Sequence, residues 1–352
     1  MTPAKITKII DSGVRYVDGQ SLPFQTLELT ITGGDKIGQI IKLDQSATPQ
    51  MQLSQYGLGE KVFLDQSTVQ VTPDQSITSW VIADYNRQEP LLVLSFLFVA
   101  MVILVGKWRG FWSLVALSLS FLIITFVTVP LLASGWNAIA ISILTAAIIL
   151  PINFYLSHGW QLKTHLAIIS TILALVLTSL LAQIFIQAAH LTGLASEEAG
   201  FLMVEKPGLI NLQSLILAAV IVGALGILDD VTVSQTSVVF ELKTANPSFG
   251  WRELYLRGMR IGQDHISSMV NTLILVYAGA ALPLLLLFSH NLKPIGEIVN
   301  LEIISEEIIK TLSGSIGLIF AAPLATIIAT LALTQLKLSQ ITSATKSHSH
   351  HH

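Results

Sequence analysis

The sequence predicts an α-helical polytopic membrane protein of about seven transmembrane helices, with a small N-terminal all-β, barrel-like domain outside the membrane. Three observations predict it. Of 352 residues, 52% are hydrophobic and only 12% charged, against about 25% charged in an ordinary soluble domain. Mean hydropathy is +0.68, concentrated in separate apolar runs of roughly 20 residues, which one soluble core cannot absorb. Residues 1–86 carry no such run and show short β-prone stretches instead.

In the first 86 residues those stretches are 24–32, 39–43, 61–64 and 68–72. Gly33-Gly34-Asp35 and Gly57-Leu58-Gly59 separate them in the manner of hairpin turns. A small closed or partly closed barrel follows from that pattern. No catalytic constellation is visible in it, and its simplest role is docking a partner protein or a second copy of the chain.

From residue 87 to 338 the chain reads as membrane. The expected spans are 91–105, 111–132, 136–156, 165–188, 212–228, 267–288 and 311–336. All but the first are long enough for a hydrocarbon core about 30 Å thick. Pro130, Pro151, Pro283 and Pro323 fall in or near span ends, where neighbouring groups can satisfy the freed carbonyls. Residues 339–352 read as a disordered tail whose His348, His350, His351 and His352 resemble a purification tag.

Lys and Arg collect in alternate loops. Lys107 and Arg109, Lys163, then Lys243, Arg252, Arg257 and Arg260 lie on one side, with Lys337 and Lys346 after the last span. The other loops hold Lys206, Lys293 and Lys310 among Glu197, Glu198, Glu205, Glu297, Glu302, Glu306 and Glu307. The positive-inside rule then puts the C-terminus in the cytoplasm and the β domain outside. Export of that domain calls for a preceding anchor span, expected in the natural protein ahead of residue 1, or for translocation by the first span itself.

The net charge of −3 with scattered basic residues excludes a nucleic-acid partner. The absence of cysteine excludes disulfides and thiolate metal sites. No HExxH-type spacing signals a metalloenzyme, and no cofactor is expected beyond a bound cation.

The least generic segment runs from 223 to 287. It opens as Gly-Ala-Leu-Gly-Ile-Leu-Asp-Asp from Gly223 and resumes as Arg-Gly-Met-Arg-Ile-Gly-Gln-Asp-His-Ile-Ser-Ser-Met-Val-Asn-Thr-Leu from Arg257. These blocks resemble the YibE/F-like family of multi-pass bacterial membrane proteins. The resemblance implies a permease-like topology with a span ahead of the extracytoplasmic domain, and it implies no reaction.

The residues themselves point to an acidic site. Asp229 and Asp230 end the fifth span, where a carboxylate opposes the helix dipole and needs compensation. If the helix continues past Leu228, then Asp230, Ser234, Ser237 and Glu241 share a face. On the sixth span Asp264, Ser267 or Ser268, and Asn271 form a second polar stripe with His265 beside it. Glycines at 223, 226 and 279 offer close helix approach.

Two arrangements follow. Asp229, Asp230, Asp264 and His265 lock structurally against Arg257 or Arg260, or the carboxylates line a hydrated ion path with neutral oxygens from Gln235 and Asn271. Gln183 and Gln187, one helical turn apart on the fourth span, are secondary candidates along with Glu241. The expected function is a proton- or cation-coupled transporter. The alternatives are a non-transporting assembly subunit that docks through its β domain, and a membrane enzyme acting at the inner interface.

Overall fold

The computed structural model describes residues 1–17, 20–44, 55–72, 75–289 and 294–335; the tail from 339, with its tag-like histidines, lies outside the described residues. The chain divides into two compact units, Met1–Met101 and Val102–His352.

The first unit contains strands β1 (Thr2–Val17), β2 (Gln20–Ile31), β3 (Ile40–Asp44), β4 (Lys61–Thr72) and β5 (Gln75–Tyr85). They form one antiparallel sheet in the order β3-β2-β1-β4-β5. Alternating positions supply its core: Ala4 and Ile6, then Leu27, Leu29 and Ile31, then Ile41 and Leu43, then Val62 and Leu64. A period of two places all of them on one face, and each buried Leu or Ile contributes about 1.5–3 kcal/mol. Tyr56, Trp80 and Tyr85 pack against that face. The buried Gln25 amide fixes the chain before β4, donating to the Tyr56 carbonyl (3.2 Å) and accepting from its N–H (2.7 Å).

The expected barrel is corrected to an open sheet. Closure requires β3 to pair with β5, but β3 has five residues and pairs along β2, so both remain edges. The runs expected at 61–64 and 68–72 are one strand. β1 and β5 lie outside the sequence expectation: Pro3, Gly13 and the charges Lys5, Lys8 and Asp11 obscure the alternation of β1.

The helices are α1 (Gln88–Ile123), α2 (Val129–Ala133), α3 (Ala138–His158), α4 (Leu162–Ala188), α5 (Glu197–Glu205), α6 (Leu212–Ala245), α7 (Trp251–Ala280), α8 (Leu282–Ser289), α9 (Ile295–Val299) and α10 (Glu302–Gln335). A π-helical turn, Ile124–Thr128, joins α1 to α2. Among the described residues, five helical segments are long and apolar enough to span a bilayer, or six if the bent pair α7–α8 is one span. The chain is therefore a multi-pass membrane protein.

The first two expected spans, 91–105 and 111–132, fall in one candidate segment, Gln88–Ala133. It breaks sharply at Lys107 (φ 50°, ψ −132°) between them. At this bend the backbone comes so close to itself that a Cβ on Gly110 would overlap the Val102 carbonyl oxygen. The sixth span also departs from expectation, bending by 63° between α7 and α8. Pro283 lacks the N–H that would continue the ladder.

Helices α4, α6 and α10 pack against one another, α3 lies on α6, and α7 lies on α10 and α6. The apolar core of this unit runs from Phe154 through Ala174, Ile221 and Leu228 to Leu318 and Ala321. The α4–α10 contact is tight at Gly317, where a Cβ would overlap the Thr178 hydroxyl and stand 3.0 Å from its Cβ. Asn137 and Asn211 cap α3 and α6, their side-chain oxygens accepting from the N–H groups of Ala140 and Ser214 at 3.0 Å each. Glu302, at the start of α10, accepts from the N–H of Gly193 (2.9 Å) and the Thr192 hydroxyl, tying down the loop after α4.

A carboxylate on a buried hydroxyl seam

Helix α6 does continue past Leu228. Its 34 residues extend about 51 Å at 1.5 Å per residue, well beyond a core of about 30 Å. Asp229 lies about 26 Å along the axis from Leu212, near the far boundary of the hydrocarbon. The segment 231–243 is part of the bundle: Val231, Thr232, Gln235, Thr236, Val239, Phe240 and Lys243 are all buried.

Asp229 is half-buried, and its Oδ1 is buried with no hydrogen-bond partner among the described residues. Thr236 and Thr164 each bury a hydroxyl in the same condition. Asp229 and Thr236, seven residues apart, share a face of α6, and Thr232 lies between them on that face. The Thr232 hydroxyl meets the Thr171 hydroxyl of α4 at 2.6 Å. On α4, Thr164, Thr171 and Thr178 recur at the same seven-residue interval and are all buried. The Thr171–Thr232 contact joins the two stripes at one point, while Thr178 meets Gly317 of α10.

An unmade hydrogen bond to a buried polar atom costs about 1–3 kcal/mol, and more if the atom is charged. Most hydroxyls in this bundle avoid that cost by bonding to the carbonyl four residues back, as Ser170, Thr171, Thr178 and Thr326 do. The Asp229 Oδ1 has no such partner among the described residues and carries that cost.

The joint between α6 and α7 has different chemistry. Gln235 donates from Nε2 to the Gly258 carbonyl (2.9 Å) and to Thr326 Oγ1 of α10 (2.7 Å). Gly258 and Gly262 give it room: a Cβ on Gly262 would stand 2.7 Å from Gln235 Oε1, and one on Gly258 would touch Thr326 and Val239 at 3.2 Å. One amide thus links three helices. A methyl placed on Gly226 or Gly279 would meet none of the described residues within 4 Å, and one on Gly223 only the Tyr277 hydroxyl at 3.8 Å. Close approach therefore occurs at 258 and 262 rather than at the glycines expected from the sequence.

The remaining sequence candidates are dispersed. Asp230 and Glu241 are exposed on α6, and Asp264, His265 and Asn271 are exposed on α7. Asp230 is within electrostatic reach of His158, as are Lys163 and Arg109, which places these groups toward one end of the bundle. Arg257 pairs locally on α7 with Glu253 at 2.8 Å and covers the Phe249 ring at 4.5 Å. Gln183 and Gln187 come together with Gln213 and Ser214 around a cavity of about 80 Å³. Among the described residues no group of three or more His, Asp or Glu side chains is placed to hold a metal ion.

Two features were missed in the sequence although it carried their signals. Threonine at seven-residue intervals in an apolar helix marks a buried polar seam, and Gly-Met-Arg-Ile-Gly at 258–262 is a small-xxx-small contact motif. Lys243, read as a loop charge, is buried and donates to the Pro247 and Phe249 carbonyls (2.9 and 2.8 Å), closing the turn into α7.

The YibE/F-like protein family matches residues 94–335, and the chain belongs to that family. No curated protein and no solved structure matches it.

Proposed function

We propose that this protein is a proton- or cation-coupled transporter of the bacterial inner membrane, with Asp229 as the coupling group. The observation that carries the reading is the buried, unpartnered Oδ1 of Asp229 on the hydroxyl seam between α4 and α6. Carboxylates within membrane helices commonly mark ion pathways and proton relays. Thr232, Thr171 and Thr236 extend the polar route from Asp229 between the helices. In this reading the carboxylate exchanges its ion across the seam, and the C-terminus is cytoplasmic, as the basic loops favour.

The test is flux in proteoliposomes with an entrapped pH dye under a potassium–valinomycin potential, run in parallel with a sodium-sensitive dye. Wild-type protein conducts one of the two ions, Asp229→Asn falls to the level of empty vesicles, and Asp264→Asn retains flux. Wild-type vesicles no leakier than empty ones to either ion overturn the proposal.

A second reading has its own support. The open sheet leaves β3 and β5 as edges, and an exposed edge adds a partner strand readily. Docking of a partner protein or a second copy there is the non-transporting alternative. It predicts a stable complex and no flux.

A further inference from the structure

We infer that the cleft between α3 and α4 is a binding site for a single bilayer lipid with an uncharged, hydroxyl-bearing head. The cleft holds a cavity of about 290 Å³ walled by aliphatic side chains such as Ile143, Ala147, Ile172 and Val176, with Leu217 and Ile221 of α6 as its floor. It abuts the polar cavity of Gln183, Gln187, Gln213 and Ser214, sharing Ile139, Gln183 and Leu217 with it. Together they form one amphipathic groove. Ile143, Ile172, Val176 and Leu180 line it while remaining exposed, so its mouth opens on the surface that meets lipid.

Dimensions and chemistry select the occupant. From 172 to 187 along α4 is about 22 Å. Half of a hydrocarbon core is about 15 Å, and one interfacial layer adds roughly 5–7 Å. The groove therefore matches one leaflet, with the head among the amides and the chain toward the midplane. Among the described residues, no ionisable side chain lines the polar cavity. Its amides and hydroxyl both donate and accept, which suits the hydroxyls of a diacylglycerol or neutral glycolipid over a phosphate, for which a cationic partner is the strong one. These residues are separate from Asp229, so the two proposals fail independently.

The experiment uses the full chain in phosphatidylcholine vesicles containing a diacylglycerol with a diazirine on one acyl chain. Photolabelling is expected on residues 139–150 and 172–187, at least fivefold suppressed by excess dioleoylglycerol and little affected by dioleoylphosphatidylglycerol. Ala147→Phe, at an exposed lining position, fills the groove and removes the label. Gln183→Leu with Gln187→Leu retains labelling but abolishes the preference for the neutral competitor. Equal competition by both lipids, or labelling indifferent to Ala147→Phe, shows ordinary annular lipid and overturns the inference. So does a crosslinked dimer at these residues, which would make the groove a contact between copies.

Discussion

Substituting Gly262 tests the three-helix joint quantitatively. In Gly262→Ala the new methyl lies 2.7 Å from Gln235 Oε1, 2.9 Å from Nε2 and 3.0 Å from Cδ, so the whole amide must move. Gln235 is 2% exposed, and moving it breaks its bonds to the Gly258 carbonyl and Thr326. Interhelical hydrogen bonds in membranes average about 0.6 kcal/mol and reach about 1.7, so losing two costs about 1–3 kcal/mol. Replacing glycine by alanine inside a helix returns roughly 1 kcal/mol, leaving a net loss of about 0–2 kcal/mol. With Gln235→Ala already present the clash is gone, and Gly262→Ala should be neutral or stabilising by up to about 1 kcal/mol. A double-mutant cycle, measured by reversible unfolding in bicelles, is expected to give a coupling of about 1–3 kcal/mol. A coupling within about 0.3–0.5 kcal/mol of zero, the range of independent sites, refutes the joint.

Other substitutions probe the remaining contacts. Gly317→Ala drives a methyl into the Thr178 hydroxyl and side-chain Cβ, with neither atom at the end of a flexible chain; monodisperse protein should be lost on size exclusion, with partial recovery in the Thr178→Ala background. Thr232→Val keeps the side chain's shape but removes its bond to Thr171, which should lower stability by about 0.5–1.5 kcal/mol and slow any Asp229-dependent flux. Lys243→Met leaves the Pro247 and Phe249 carbonyls without their donor, and faster proteolytic cutting at 246–250 is the expected signature. On the sheet, the Arg87 guanidinium beside Asp84 holds its carboxyl below the ordinary carboxylate value. A depressed carboxyl favours the folded state above its unfolded value near pH 4 and loses that contribution as pH falls through the folded value. An NMR pH titration of Asp84 should therefore move upward in Arg87→Gln.

The membrane character of the chain was legible because it rests on summed hydropathy, which tertiary context does not alter. The positions of Asp229, Gln183 and Gln187 on long helices followed from the same signal. Span number was less legible. Lys107, Trp108 and Arg109 interrupt the apolar pattern as a loop does, and the break there is a sharp kink at Lys107 that joins two helices into one segment. Past Leu228 the sequence showed the polar face of α6, marked by Asp230, Ser234 and Glu241; its buried face, with Val231, Gln235 and Val239, is seen only when α7 and α10 are in place. Which polar side chains converge is a matter of helix rotation, and periodicity within one helix does not reveal the rotation of its neighbour. Hence Gln235 meets glycines and a threonine, while Asp264 and Asn271 of α7 remain exposed. In the β unit, closure depends on strand length and register, which the alternating pattern alone leaves open.

The most direct measurement is infrared difference spectroscopy of the reconstituted protein while an ion gradient is imposed and collapsed, with the carboxyl band of residue 229 identified by its loss in Asp229→Asn. A coupling carboxylate predicts that this band changes reversibly with the gradient and that Thr232→Val alters the change. A band of residue 229 that stays constant under proton and sodium gradients alike contradicts the assignment.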